Sequence, residues 1–316
     1  MNDVLYVVIP CYNEEEVLTE TSHRLKEKME SLIQNRIISN KSRIVFVNDG
    51  SRDRTWEMIK QFHENDIIFS GINLSRNRGH QNALLAGLMT TRDYADVVIS
   101  MDADLQDDIN IIDEMLEKYR QGYEIVYGVR SKRETDTVFK RLSALGFYKF
   151  MNLMGAEIVY NHADYRLMSR RSLEGLAQFN EVNLFLRGII PMIGYNSTCV
   201  YYERSERFAG ESKYPLSKMI FFAMQGITSF SVKPMRCITL VGLIASIFSL
   251  LIAIWSIIQF IFGHTVPGWT SMFFSIWFLG GMILMSIGIV GEYIGKIYLE
   301  TKHRPRFIIE DFINDA

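Results

Sequence analysis

Between Cys237 and Phe262 the chain places 26 residues without one charged side chain. As a helix this run is roughly 39 Å long, enough to cross ~30 Å of hydrocarbon with some tilt. A second run, Thr270 to Gly291, has 22 residues and again no charge. Both exceed the ~18 residues at which a buried core helix stops being the ordinary explanation. The reading is two transmembrane helices, about 237–262 and 270–291, inside a helical region 235–298. The connector Gly263–Trp269 has no Lys or Arg, whereas Lys218, Lys233 and Arg236 precede the region and Lys296, Lys302, Arg304 and Arg306 close it. Positive residues stay cytoplasmic. Both ends are therefore expected inside, with 299–316 a cytoplasmic tail and the chain multi-pass in a cell (inner or plasma) membrane. Residues 215–234 mix Met219, Ile220, Phe221 and Phe222 with Lys218 and Gln225, which suits an interfacial amphipathic helix or a plain linker helix. Gly280, Gly281, Gly288 and Gly291 offer close helix packing, the basis for expecting a homo-oligomer.

The first 214 residues read differently. Short apolar runs alternate with amphipathic stretches, the pattern of an α/β domain with a mostly parallel sheet. Strands are predicted at Val4–Ile9, Arg43–Val47, Ile67–Leu74, Val97–Ser100 and Glu124–Val129, with a short strand or turn at Ala163–Ser169. Helices are predicted from the Asn13 region toward Gln34, over Gln81–Thr91, over Ile109–Tyr119 and over Val138–Met154. The opening run is too short for a signal sequence and has no basic leader, so this part is expected to stay in the cytoplasm. A net charge of −2 gives no reason to expect nucleic acid. Cys11, Cys199 and Cys237 are too far apart for metal spacing or a disulfide framework.

The chemistry gathers where strands end, which in an open parallel sheet is where ligands bind. Val97–Ser100 leads into Met101-Asp102-Ala103-Asp104-Leu105-Gln106-Asp107. Alternate residues of an extended chain point the same way, so Asp102 and Asp104 can face one ligand. Two hard oxygen donors suit Mg²⁺ or Mn²⁺ carrying a diphosphate. The other reading of these acids is the electronegative start of the helix that follows. Asn13, Glu14 and Glu15 follow the first strand as a nucleotide contact or as helix-capping residues. Asp49 tips the second strand, as an acid that holds a base or ribose edge or as part of an Asp-Gly-Ser turn; Ser51 or Asp53 would cap the next helix. Gly79 permits close approach, and Arg76 and Arg78 either meet phosphate or simply solvate. His80 reads as a helix-start residue. Arg130 ends the fifth strand at the same edge. Asp164 is a surface acid or a catalytic one.

Taken in order, Val8-Ile9-Pro10-Cys11-Tyr12-Asn13-Glu14-Glu15, Val47-Asn48-Asp49-Gly50-Ser51-Arg52-Asp53, Asn77-Arg78-Gly79 and Asp102-Ala103-Asp104-Leu105-Gln106-Asp107 resemble the motifs of family 2 glycosyltransferases of the GT-A fold, over about the first 210 residues. Ala163-Asp164-Tyr165-Arg166-Leu167 and the segment Arg204 to Tyr214 resemble the polyprenyl-phosphate subgroup, the dolichyl-phosphate mannose synthase type. The resemblance implies a catalytic domain over 1–214. It implies that Pro10, Tyr12, Asn13, Glu14, Asp49, Arg78, Gly79, Asp102, Ala103 and Asp104 bind a nucleotide-sugar. By the same likeness Asp102, Asp104 and Gln106 surround the metal, and Asp164 is the candidate base. Arg130, Arg141, Arg207 and Lys213 are then the candidates for the acceptor phosphate.

The function implied is inverting transfer of one sugar to an undecaprenyl-type polyprenyl phosphate at the cytoplasmic face of the membrane, making a lipid-linked donor for cell-envelope glycans. The two C-terminal runs turn the choice of donor toward UDP-glucose; UDP-GlcNAc, a modified pentose and GDP-mannose stay open. A processive polysaccharide synthase resembles this domain too, but this chain has no Arg-Trp pair and two spans make a poor polymer channel. A non-catalytic sugar-nucleotide-binding membrane protein is the alternative of another class; it would typically have lost the metal acids, and both are present.

Overall fold

A computed structural model describes residues 2–131, 162–182, 184–203, 233–262 and 268–315. The expected helix Val138–Met154, residues 215–232, most of the connector (263–267), and Arg141, Arg207 and Lys213 lie outside the described residues.

By its internal contacts the chain divides into a sheet unit, which includes Arg304–Ala316, and a helical unit, which includes Pro215–His303. The sheet unit begins with β1 (Leu5–Cys11), α1 (Leu18–Gln34), β2 (Arg43–Asn48), α2 (Thr55–Asn65), β3 (Phe69–Leu74), α3 (His80–Thr91) and β4 (Val97–Ser100). A 3-10 turn (Ile109–Ile111) then leads into α4 (Ile112–Arg120) and β5 (Ile125–Arg130). After them come β6 (His162–Ser169), α5 (Arg170–Leu176), α6 (Leu186–Met192) and β7 (Ser197–Tyr202). The helical unit contributes α7 (Lys233–Ile261) and α8 (Trp269–Thr301), and β8 (Ile309–Ile313) returns to the sheet unit.

The eight strands run in the order β7-β5-β6-β4-β1-β2-β3-β8. β1, β2, β3 and β4 are parallel, as are β5 and β7. β6 runs against both of its neighbours, and β8 runs against β3. The sheet is therefore mixed where the alternation of elements suggested mostly parallel. The last strand also amends the reading of 299–316 as a tail: Phe312 pairs with Ile72 and Asp311 with Asn73. Ile309-Glu310-Asp311-Phe312-Ile313 does not alternate, so no period-2 pattern announces a strand, and its partner lies more than two hundred positions away.

Every side chain of β1, Pro10 and Cys11 included, is buried. A strand covered on both faces reads as a continuous apolar run, with no alternation. Leu5, Val7 and Ile9 share a core with Leu25, Met29 and Leu32 of α1 and with Ile112 and Met115 of α4. The Pro10 break expected after Ile9 does not end the strand, which runs two residues further and carries its loop with it.

In the helical unit both uncharged runs are helical, and α8 continues ten residues past Gly291 to Thr301. Among the described residues one helical stretch, Phe278–Thr301, is long and apolar enough to cross a membrane, and none of it is buried within the chain. Leu243, Phe248, Leu284 and Met285 are each more than half exposed. Among the described residues, a side chain added at Gly280, Gly281, Gly288 or Gly291 would meet nothing within 4 Å.

Candidate active site

Two loops are stitched together over β1 and β2. Asn13, with φ at 55°, accepts the Arg52 N–H at its Oδ1 (2.9 Å) and donates its own N–H to Ser51 Oγ (3.0 Å). Glu14 N–H donates to Thr55 Oγ1 at 3.0 Å, and Arg54 N–H to Glu15 Oε2 at 3.1 Å. Asn13 is thus a latch between loops. It does not cap α1, which starts at Leu18 behind Val17 with no side-chain cap. Asp53, by contrast, accepts the N–H of Thr55 at the start of α2 (3.1 Å). Tyr12 stands beside the latch with 43% of its surface exposed.

Asp49, expected to touch a base or ribose, is 2% exposed. Its oxygens accept the N–H groups of Arg78 (2.7 Å) and Gly79 (2.8 Å). Burial raises its pKa, and these two N–H groups oppose the rise. Its visible work is to hold the loop after β3 in place, with Gly79 at φ 85° where an ordinary side chain would be strained.

After β4 the chain crosses Asp102 and Asp104 and turns at Leu105 (φ 55°). Gln106 N–H donates to Asp104 Oδ1 at 3.2 Å. The helix-start alternative for the acids falls to Asp108, whose carboxylate accepts the Asn110 N–H at 2.9 Å. Asp102 and Asp104 lie upstream of that cap, partly exposed, with Ala103 buried between them; Gln106 is 7% exposed. Burial lifts the pKa of Asp102 to about 6; His80 opposes the rise, and the charges of Asp107, Asp164 and Asp104 add to it. Such accumulated negative charge is what a divalent cation relieves. Among the described residues no three His, Cys, Asp or Glu side chains form a ready metal cage. Asp102 and Asp104 offer two carboxylate donors, a set that would suit an ion such as Mg²⁺ when water and substrate phosphates fill the remaining positions.

Beyond β4 the edge changes character. Ser100 Oγ donates to the Asp164 carbonyl at 2.6 Å, fastening β6 beside the acids. The Asp164 carboxylate accepts from Arg166 Nη2 (2.9 Å) and from Arg187 Nη2 (3.0 Å) and Nε (3.3 Å). His80 Nε2 lies 3.6 Å from both Asp164 Oδ2 and Asp102 Oδ1, an ion-pair distance to each. Burial alone would raise the pKa of Asp164, but His80, Arg187 and Arg166 outweigh it and hold the carboxyl well below its ordinary value. A carboxylate so stabilised is a weak base. Arg166 is wholly buried, and its Nε and Nη1 have no hydrogen-bond partner among the described residues.

One strand further, the parallel register sets Arg130 opposite Tyr202. Arg130 Nη2 donates to Asp107 Oδ1 at 3.3 Å and Nε to the Tyr202 hydroxyl at 3.3 Å, while that hydroxyl donates to Asp107. Burial, then the Asp107 charge, raises the Tyr202 pKa, so it stays a donor.

The expected residues thus fall into two groups along one edge. Pro10, Tyr12, Asn13, Glu14, Asp49, Arg78 and Gly79 belong to the ends of β1, β2 and β3; Asp164 and Arg130 belong to β6 and β5; Asp102 and Asp104 sit between. His80, Asp107, Arg166, Arg187 and Tyr202 also belong to the site and were not expected there. Asp107 and Arg166 carried a hint, since both lie in stretches that carry the resemblance. Arg187, between Leu186 and Gly188, had none.

An α/β sheet with paired acids at a central strand end and turn-built loops beside them is a glycosyltransferase arrangement. Residues 6–176 match Glycosyl transferase family 2, and the chain belongs to that family. It is 54% identical over 313 residues to the uncharacterized glycosyltransferase YkoT of Bacillus subtilis, covering 99% of this chain and 93% of that one. It is 42% identical to the bactoprenol glucosyl transferase of Shigella phage SfX, covering 96% of this chain and 98% of that one. Among solved structures, mannosyl-3-phosphoglycerate synthase from Rubrobacter xylanophilus is a distant likeness, with 15% identity, 71% of each chain covered and a TM-score of 0.45.

Proposed function

We propose that this chain transfers a single sugar from a nucleotide-sugar to a polyprenyl phosphate, with inversion, at the cytoplasmic face of a membrane. The observation that carries the reading is the order of the edge: turn-built loops at β1, β2 and β3, acids at β4, and arginines at β6 and β5. The bactoprenol glucosyl transferases that match over nearly the whole chain support the same acceptor class. UDP-glucose is the proposed donor. The exposed apolar surface of α7 and α8 is read as the bilayer anchor, with two spans and both termini cytoplasmic; cysteine labelling of the Gly263–Trp269 connector in intact cells tests that topology.

The nucleotide is assigned to the Pro10–Glu14 loop, Tyr12 and the Arg78–Gly79 turn, with Asp49 organising that turn from beneath. Asp102 and Asp104, with Gln106 beside them, would hold Mg²⁺ or Mn²⁺, which when bound neutralises charge on the leaving diphosphate. An acceptor phosphate oxygen forms the new bond to the anomeric carbon as the bond to the diphosphate breaks. A phosphate monoester has its second pKa near ~6, so the acceptor is largely deprotonated at neutral pH and needs little from a base. Asp164 accordingly orients cations instead of removing a proton. Arg141, Arg207 and Lys213 remain proposed acceptor contacts.

The experiment is metal-dependent release of nucleoside diphosphate by the full-length protein, with a short-chain polyprenyl phosphate and a panel of nucleotide-sugars. Release that needs both the lipid phosphate and the metal is expected, fastest with UDP-glucose. Release indifferent to the lipid phosphate would overturn the acceptor; preference for another sugar would overturn the donor.

A further inference from the structure

We propose that Arg187 is a ligand of the acceptor phosphate, presented by Asp164 and working with Arg130 as a two-arginine clasp. This rests on the polyprenyl-phosphate reading and names a residue for it.

The loops after β1, β2 and β3 lie on one side of β4, whereas Asp164 on β6 and Arg130 on β5 lie on the other. A donor whose diphosphate sits at Asp102 and whose nucleotide runs toward β1–β3 leaves the β6–β5 side for the acceptor. Arg187 is on that side, with its inner edge on Asp164 through Nε and Nη2. The Leu186 N–H donates to Gln81 Oε1 at 3.0 Å, which ties the start of α6 to the start of α3.

Asp164 already has the wholly buried Arg166 as its counter-ion. Arg187 is a second guanidinium on the same carboxylate, and 42% of its side chain is open to solvent. Arg130 lies close enough for the two cations to oppose one another, and both feel Asp102. Arg130 is held from behind in the same way, by Asp107 and Tyr202. Two guanidiniums, each seated on a carboxylate and repelling each other, form a receptor for a dianion. Each can offer a planar pair of N–H groups to phosphate oxygens.

Neutralising Asp164 does not by itself call for Arg187, because the wholly buried Arg166 already pairs with that carboxylate while 42% of the Arg187 side chain stands open to solvent.

The test uses full-length protein in nanodiscs and the variants Arg187→Gln and Arg187→Lys. Arg187→Gln is expected to raise KM for short-chain polyprenyl phosphate about tenfold or more, as loss of one charged hydrogen-bonding partner does. Its KM for the nucleotide-sugar and its melting temperature should stay at wild-type values. Arg187→Lys should recover only part of the loss, because an ammonium cannot keep two N–H groups on Asp164 and still face a phosphate. Wild-type acceptor KM in Arg187→Gln, or a rise in donor KM in its place, would overturn the proposal. A lipid-free arm reads the same residue: inhibition of donor hydrolysis by inorganic phosphate should weaken in Arg187→Gln, and equal inhibition of the two proteins counts against the clasp. If wild type ignores polyprenyl phosphate while phosphate inhibition still depends on Arg187, the lipid reading fails and the anion site stands.

Discussion

The two halves of the sheet edge are built from different materials. On the β1–β2–β3 side, loops hold one another through backbone N–H groups and short polar side chains: Asn13 to Arg52, Glu15 to Arg54, Asp49 to Arg78 and Gly79. On the β6–β5–β7 side, long charged side chains hold one another: Asp164 with Arg166 and Arg187, Asp107 with Arg130 and Tyr202. The first half fixes the shape of the backbone and leaves N–H groups and a tyrosine ring at the surface. The second fixes charge and leaves guanidinium edges at the surface. A nucleotide needs a shaped loop, whereas a phosphate head needs positive charge at a set height. The acids between them answer to both.

The largest expected effect falls at the boundary. Asp104→Ala should lower transfer by about 10⁴-fold, since metal-held charge stabilisation is worth several kcal/mol. The urea midpoint should barely move, because Asp104 is a partly exposed loop residue. Substantial turnover in this variant, or in wild type with a chelator, would remove the boundary from the comparison.

Asp164→Ala should act on folding as well as on transfer. It strands the wholly buried Arg166, and breaking a buried pair costs about 3–5 kcal/mol, to be read from urea denaturation. The same carboxylate ties stability to pH. Its folded-state pKa is depressed, so its contribution is fully present above the ordinary carboxylate value and is lost as pH falls through the lower folded value. Wild type should therefore lose more stability between pH 5 and pH 3 than Asp164→Asn does. Equal losses would mean that the charged half does not depend on this carboxylate.

In the loop half the effects should be backbone effects. At Gly50, with φ at 63°, an added Cβ would come within 2.6 Å of the Asn77 backbone nitrogen. Gly50→Ala should cost about 2–4 kcal/mol, the sum of left-handed strain and overpacking. Gly79 also has positive φ, but among the described residues a Cβ there would meet nothing within 4 Å, so Gly79→Ala should cost only the strain, about 1–2 kcal/mol. Thermal melts of the pair check the difference. Equal costs would show that the loops are not pressed together as the contact at Asn77 requires.

Much of this protein was legible from the chain alone, for a physical reason. The strands from β1 to β5 are short apolar runs whose burial is a local property, and β4 begins and ends where its apolar run does. Asp49, Asp102 and Asp104 come just after strand ends and Arg130 is the last residue of β5, so their place along the sheet could be read from the apolar runs. The two uncharged runs announce long helices because lack of charge over twenty residues is itself the signal. Tertiary structure alone decided what rests on pairing between distant segments. β8 joins the sheet by hydrogen-bonding with β3, and β6 reverses direction between β4 and β5. Arg187 reaches Asp164 only because α6 folds back beside α3, and Tyr202 meets Arg130 only through the parallel register of β7. As a residue Asp164 is an acid that could take a proton; only the fold brings Arg166, Arg187 and His80 against its buried carboxylate and holds its pKa down.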